Sequence, residues 1–288
     1  MNINDLLIYG RKYLLETNIE NKPLKIRLLL EHILQMNKYE LVINHTKEID
    51  EYKIRNFEIG LEKIKNNIPI QYIINNQEFM KMNFYVDENV LIPQPDTEIL
   101  VEAVINYCKN ITNTIPNKNI KILDLCTGSG AIAISIAKYV ENTEIIATDV
   151  STKAIQIAKL NAEKNLVHTK IKFIESDMFS NINDENFDII VSNPPYIETD
   201  IISTLNVEVQ KEPLLALNGG PDGLNFYRLI INNGGKYLKN NGKLFLEIGY
   251  NQKNSLFNII NNSAIFSNPS CIKDFGNNDR VIICERKH

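Results

Sequence analysis

The alternation of strand-like and helix-like segments after Ile120 constrains this chain more than any other feature. Strand candidates fall at Ile120–Leu125, Glu144–Thr148, Ile171–Glu175, Phe187–Ser192, Gly242–Ile248, Cys271–Phe275 and Arg280–Cys284. Helices are expected between them, at about 130–139, 151–165, 223–239 and 251–262. Alternation of this kind predicts an α/β domain with a mostly parallel, doubly wound, seven-stranded sheet and helices on both faces. In such sheets ligands bind beyond the carboxyl ends of the strands, near the point where strand order reverses.

The segments before Ile120 read differently. Leu6, Leu7, Tyr13 and Leu14, then Leu24 to Leu34, then Ile54 to Ile64 follow helical spacing, which predicts a small helical bundle over residues 1–75. No catalytic residue types cluster there, so the bundle suits packing or the docking of a partner. Ile70, Tyr72–Ile74, Phe79, Phe84–Val86 and Val90–Ile92 are short β-prone runs. They predict a β-hairpin linker over 76–95, closed by Pro93 and Pro95 as a rigid elbow. A helix is expected from Thr97 to about Lys109, then a polar loop over 110–119, and the third domain spans 96–288.

Composition excludes several classes. With 288 residues, 44% of them hydrophobic, the chain can bury a sizeable core in one large domain or two modest ones. No apolar run approaches the roughly 18–20 residues that span a bilayer, and Met1–Asp5 opens no signal-peptide pattern, so a cytoplasmic protein without membrane partners is expected. The net charge of −4 argues against nucleic acid as the main partner. Cys108, Cys126, Cys271 and Cys284 form no Cys-x-x-Cys pair, and His32, His45, His168 and His288 are scattered, so no metal site is expected. Monomer is the default oligomeric state.

Three strand ends carry groups suited to an adenosine-bearing cofactor. Asp124-Leu125-Cys126-Thr127-Gly128-Ser129-Gly130 follows a strand and opens a helix; Gly128 and Gly130 let the backbone approach a ligand, and Asp124 and Thr127 add polar groups. Cys126 and Ala133 break the dinucleotide fingerprint Gly-x-Gly-x-x-Gly, which weighs against NAD. Asp149, 25 residues after Asp124, can accept two hydrogen bonds from a ribose diol; taken alone, it serves equally as the cap of the helix near Ser151. Asp177 can accept from an adenine amine while Met178 or Phe179 packs on the ring, and a turn acid followed by core residues is the plainer alternative.

The fourth strand runs into Asn193-Pro194-Pro195-Tyr196. Two prolines hold the backbone extended and remove two N–H donors, so local carbonyls stay free to accept. The Asn193 side-chain carbonyl and the Pro194 backbone carbonyl can then accept both hydrogens of one –NH2 group, while the Tyr196 ring packs on a planar acceptor. Holding both N–H bonds aims the nitrogen lone pair at an electrophile. Asn-Pro is also a common turn signal.

With these motifs in view, the chain resembles the class I S-adenosylmethionine-dependent methyltransferases of amino groups, a Rossmann-like family, through Asp124–Gly130, Asp149, Asp177 and Asn193–Tyr196. DNA adenine, rRNA guanine and protein glutamine methyltransferases share those motifs. Further segments look like the peptide chain release factor glutamine methyltransferase family: Ile68–Ile73, Phe79, Val90–Glu98, Glu212-Pro213, Ala216-Leu217, Gly219–Leu224 with Tyr227, Glu247-Ile248-Gly249 with Gln252, and Asp274-Phe275-Gly276 with Asp279-Arg280. The resemblance covers essentially the whole chain. It implies S-adenosylmethionine as cofactor and N5-methylation of the glutamine in the Gly-Gly-Gln loop of bacterial release factors, the protein partner. An rRNA or DNA amino-methyltransferase on the same clamp is the alternative, with Lys236, Lys239 and Lys243 as its thin basic patch. The family pattern has Arg where this chain has Gln94 and Gly where it has Cys126. Thr97 and Glu98 either take part in the site or cap the following helix; Glu212 and Asp222 either shape the substrate entrance or scaffold its loop.

Overall fold

Helical spacing in the first 75 residues is realised as α1 (Ile3–Tyr13), α2 (Lys22–Leu34), α3 (Lys38–Ile43), α4 (Glu51–Lys65) and α5 (Ile70–Ile74) in a computed structural model of the chain, which describes residues 1–267 and 269–287. His288 lies outside the described residues. Reciprocal capping boxes, Asn2 with Asp5 and Asn37 with Glu40, start α1 and α3 by satisfying N–H groups that the helices leave free. Leu29, Leu30, Phe57 and Leu61 are buried in the core of this unit. The β-prone run Ile70–Ile74 is helical instead of strand-like. Burial of Ile70 and Tyr72 outweighs a β-propensity that is itself context-dependent.

The chain divides into two compact units, residues 1–76 with 206–211, and residues 77–205 with 212–288. The second opens with a short antiparallel hairpin, β1 (Gln77–Phe79) and β2 (Met82–Phe84). Phe79 and Phe84 meet edge to face at 6.0 Å and are buried, each contributing about 2 kcal/mol by leaving water. Residues 85–94, where two more strand-prone runs stand, form no strand. The helix α6 (Pro95–Thr114) is longer than its sequence suggests. Proline at its first position loses no helical hydrogen bond, and the expected loop after Lys109 instead supplies its last turn.

The alternating region then follows as β3 (Ile120–Leu125), α7 (Ala131–Tyr139), β4 (Thr143–Asp149), α8 (Thr152–Lys164), β5 (Ile171–Glu175), β6 (Phe187–Ser192), α9 (Leu214–Leu217), α10 (Asn225–Tyr237), β7 (Leu238–Glu247), α11 (Lys253–Asn262), β8 (Ser270–Lys273) and β9 (Asp279–Glu285). Strand order is β5-β4-β3-β6-β7-β9-β8, with the first five parallel and β9 antiparallel to both neighbours. Every residue of β6 is buried, as expected of a central strand covered on both faces. One face packs on α6 and α7 through Leu100, Val104, Ile122 and Ile134, the other on α10 and α11 through Tyr227, Ile230, Leu246 and Leu256. Strand order reverses between β3 and β6, whose ends are registered Leu125 opposite Ser192. That places Asn193 at the switch point.

Candidate active site

A cavity of about 380 Å³ opens beyond the ends of β3 to β6, within the size range of small-molecule sites. Gly128, Asp149, Asp177, Met178, Asn193 and Pro195 all line it, together with Cys126, residues 88–91, Pro213, Leu215 and Ala216. Asp149 is the organiser of one wall. Its Oδ2 accepts from the Gly128 N–H and its Oδ1 from the Ser151 N–H, both at 2.9 Å. Burial raises its pKa, opposed by the N–H groups of Ser151, Gly128 and Val150. The helix cap is Ser151, whose hydroxyl accepts from Ala154 N–H, so the capping alternative for Asp149 does not hold. With three N–H donors on its four lone-pair sites, the carboxylate keeps acceptor capacity for a ligand hydroxyl.

Asp177 is exposed at the cavity, and Met178 sits beside it in the left-handed region at φ 48°. Phe179 turns away instead, stacking on Tyr237 at 4.7 Å in the core, so Met178 is the residue of that pair which reaches the cavity. Asp124, Thr127 and Gly130 likewise do not line it. Asp124 is fully buried: its Oδ2 accepts from the Thr127 hydroxyl at 2.6 Å, the Ala133 N–H also donates to the carboxylate, and Oδ1 has no protein donor. Burial pushes its pKa up to about 7. The carboxylate thus ties the glycine-rich turn to the start of α7 from beneath. Cys126 adopts φ 59°, a region costing an L-residue roughly 1–2 kcal/mol and open to glycine without that cost.

In the clamp, Asn193 is half-buried and donates from Nδ2 to Thr97 Oγ1 at 3.2 Å. Among the described residues no donor reaches Asn193 Oδ1 or the Pro194 carbonyl. Two acceptors therefore stand open at one strand end. Pro194 and Tyr196 do not themselves line the cavity. Behind Tyr196, Gln252 donates from Nε2 to the Tyr196 carbonyl at 2.9 Å and to the Gly223 carbonyl at 3.3 Å, while its Oε1 accepts from Gly249 N–H at 2.9 Å. Gly219 must be glycine for this packing, since a Cβ there would lie 2.7 Å from Tyr196 Cα.

Thr97 touches Asn193, whereas Glu98 accepts from the Met80 N–H at 2.6 Å and anchors the hairpin. Gln94 is exposed and closes its own elbow by donating to the Ile92 carbonyl at 3.0 Å. Glu212 is scaffolding: its buried carboxylate accepts from Ile92 N–H at 2.9 Å, and burial lifts its pKa to about 7. Asp222 pairs with Arg228 on the surface. Lys239 is engaged by Asp188 and Lys243 by Glu285, so neither is a free cation for a nucleic-acid backbone. Asn161 escaped the sequence reading. It is wholly buried on α8 and joins Tyr85, through both its N–H and C=O, to the Ser129 carbonyl. Its position on the apolar face with Ala154 and Ala158 is the signal that could have found it.

Residues 107–210 match the methyltransferase small domain family, and residues 5–74 match the PrmC N-terminal domain. The release factor glutamine methyltransferase of Clostridium acetobutylicum is 39% identical over 289 residues, covering 99% of either chain. That of Clostridium botulinum is 41% identical over 289 residues, covering 98% of either chain. A crystal structure of a methyltransferase from Pyrococcus furiosus shares the fold at TM-score 0.51 and 18% identity, over 71% of this chain and 89% of that one.

Proposed function

This chain belongs to the release factor glutamine methyltransferase family, and from that premise we propose that it methylates the side-chain amide nitrogen, N5, of the glutamine in the Gly-Gly-Gln loop of bacterial release factors. The observation that carries the reading is the pair of open acceptors, Asn193 Oδ1 and the Pro194 carbonyl, at the switch point of the sheet. One –NH2 group has two hydrogens to give, and these two oxygens take both.

The cofactor site fits S-adenosylmethionine, which when bound supplies an electrophilic methyl group. Asp149 would hold the ribose hydroxyls, Asp177 the adenine amine and Met178 the face of the ring, all three lining the cavity. Gly128 leaves open space where a side chain would stand. Asp124, Thr127 and Gly130 hold that turn from behind, and Asp124 Oδ1 is the buried acceptor still available to a cofactor N–H.

At the clamp, Asn193 and Pro194 fix the acceptor nitrogen so that its lone pair points at the methyl carbon, with Pro195 stiffening the backbone and Tyr196 backing the amide plane. Fixed carbonyl dipoles also stabilise the positive charge that grows on nitrogen as the N–C bond forms and the methyl bond to the cofactor breaks. The proton leaves afterwards, so no general base is required beforehand. Residues 1–75 are the docking arm for the release factor, a reaction of two soluble cytoplasmic partners.

Methyl transfer from radiolabelled cofactor to purified release factor, compared with total RNA and genomic DNA, tests the reading. Label is expected in the release factor alone; label in nucleic acid alone would sink it. Asn193→Ala should lower turnover by roughly two to four orders of magnitude with cofactor affinity retained.

A further inference from the structure

Residues 85–92 run along the cofactor cavity with neither helix nor strand to hold them. Glu88, Asn89, Val90 and Leu91 line the cavity from this segment, and Gly128 lines it from the glycine-rich turn. A segment without a hydrogen-bond ladder must find partners for its buried backbone groups elsewhere. We propose that Asn161 and Glu212 are positioning residues for the cofactor. They hang this strap at its two ends, and Asn161 also ties it to the glycine-rich turn, so that two walls of the cavity keep a fixed separation. The inference rests on the reading of the cavity as the cofactor site.

Asn161, fully buried on α8, holds two chain segments with one amide. Its Oδ1 accepts from the Tyr85 N–H at 2.7 Å, while Nδ2 donates to the Tyr85 carbonyl at 3.0 Å and to the Ser129 carbonyl at 2.9 Å. An amide turned by 180° would set Nδ2 against the Tyr85 N–H, donor against donor, so the arrangement has a single sense. Tyr85 leads into the cavity-lining residues of the strap, and Ser129 follows Gly128 directly. One side chain therefore registers the two walls against each other. One turn further along α8, Asn165 donates to the Asn83 carbonyl at 3.3 Å and fixes β2, the strand that feeds the strap.

At the other end, the Ile92 N–H donates to Glu212 Oε2 at 2.9 Å, with both residues buried. Between the two ends the strap closes on itself. Asp87 Oδ1 accepts from the N–H and Nδ2 of Asn89, at 2.9 and 2.8 Å, and the Asp87 carbonyl accepts from the Val90 N–H at 3.2 Å. Val86 and Val90 are buried. Neither Asn161 nor Glu212 lines the cavity, so each reaches a bound cofactor only through the backbone it holds. A wall fixed before binding need not be ordered during it, and the difference appears as affinity.

The test measures affinity in the full chain for Asn161→Ala, Glu212→Ala and Glu212→Gln, the last of which keeps an acceptor for the Ile92 N–H. Calorimetry is run where urea curves show each variant folded. The Kd for S-adenosylmethionine should rise roughly 10- to 100-fold in both alanine variants and stay within about threefold of wild type in Glu212→Gln. On release factor, kcat at saturating cofactor should stay within about threefold throughout. Asn161→Asp, which keeps the bond from the Tyr85 N–H and loses both donations, replaces Asn161→Ala if that variant does not fold, with the same rise expected. A role confined to stability would lower the unfolding midpoint and leave Kd unchanged. That result, or a Glu212→Gln variant no better than alanine, would overturn the proposal.

A second readout needs neither cofactor nor substrate. In cofactor-free protein the Tyr85 backbone amide should exchange at least about tenfold faster in Asn161→Ala, and the Ile92 amide in Glu212→Ala, with the amides of β3 and β6 unchanged. Unchanged exchange at both positions would also overturn the proposal. Wild type that binds S-adenosylmethionine with these variant effects, yet labels no release factor, would sink the proposed function and leave the positioning role standing. Wild type that binds no S-adenosylmethionine would overturn the cofactor reading and the positioning role together.

Discussion

Gln252→Glu changes one atom and reverses the hydrogen-bonding sense behind the clamp. Gln252 is 6% exposed and gives two bonds from Nε2, at 2.9 Å to the Tyr196 carbonyl and 3.3 Å to the Gly223 carbonyl, while Oε1 takes the Gly249 N–H. A carboxylate keeps the last bond and loses the first two, and it sets negative charge against two carbonyl oxygens. Leaving two buried acceptors unpaired costs about 1–3 kcal/mol each, so about 2–6 kcal/mol in all. In a unit of about 200 residues that lowers the thermal midpoint by roughly 5–20 °C.

Acid should partly repair the variant. A protonated carboxyl can donate to one of the two carbonyls, so the introduced group has a raised pKa in the folded state and the deficit relative to wild type shrinks as pH falls from 8 to 5. Thermal and urea unfolding of both proteins at the two pH values measures this. Turnover should fall as well, because the Tyr196 carbonyl is the point of attachment, while cofactor affinity holds. A deficit below about 0.5 kcal/mol at pH 8 would refute the account of Gln252 as a two-bond tie, as would a deficit that does not narrow at pH 5.

Asp149→Ala should weaken S-adenosylmethionine binding by roughly ten- to a hundredfold, since it removes charge-assisted bonds worth about 1.5–3 kcal/mol; calorimetry showing unchanged affinity would remove the ribose assignment. Asp124, Glu212 and Glu247 each have pKa values lifted by burial to about 7. The folded chain therefore binds protons that the unfolded chain has released, and stability is highest below about pH 4 for these groups and declines until about pH 7. Denaturant titrations of cofactor-free protein should show a loss on the order of a few kcal/mol between pH 5 and 8, partly flattened in Glu212→Gln; stability that rises over that interval would contradict the burial of these carboxylates.

Patterns that are local in the chain were legible without the fold. Each strand from β3 to β6 is a short apolar run bounded by turn residues, and each helix between them has its own spacing, so the doubly wound sheet followed from neighbours within a few residues. The acids at the strand ends and Asn193–Tyr196 were legible for the same reason: parallel topology sends every strand end to one edge. Where a side chain points from that edge was not. Asp124, Thr127 and Phe179 belong to the same motifs as Gly128 and Met178, yet they turn into the interior, because burial and hydrogen bonding there outweigh exposure at the cavity. Ile70–Ile74 read as strand and is helix, since its neighbours in space decide what its propensity leaves open.

The architecture and the acceptor-rich clamp were legible in the chain alone, since both depend on chemistry carried within a few consecutive residues. Which side chain meets Asn193 was settled by the folded chain: Thr97 lies 96 residues away on another element, and its hydrogen bond exists only once α6 and the end of β6 have come together.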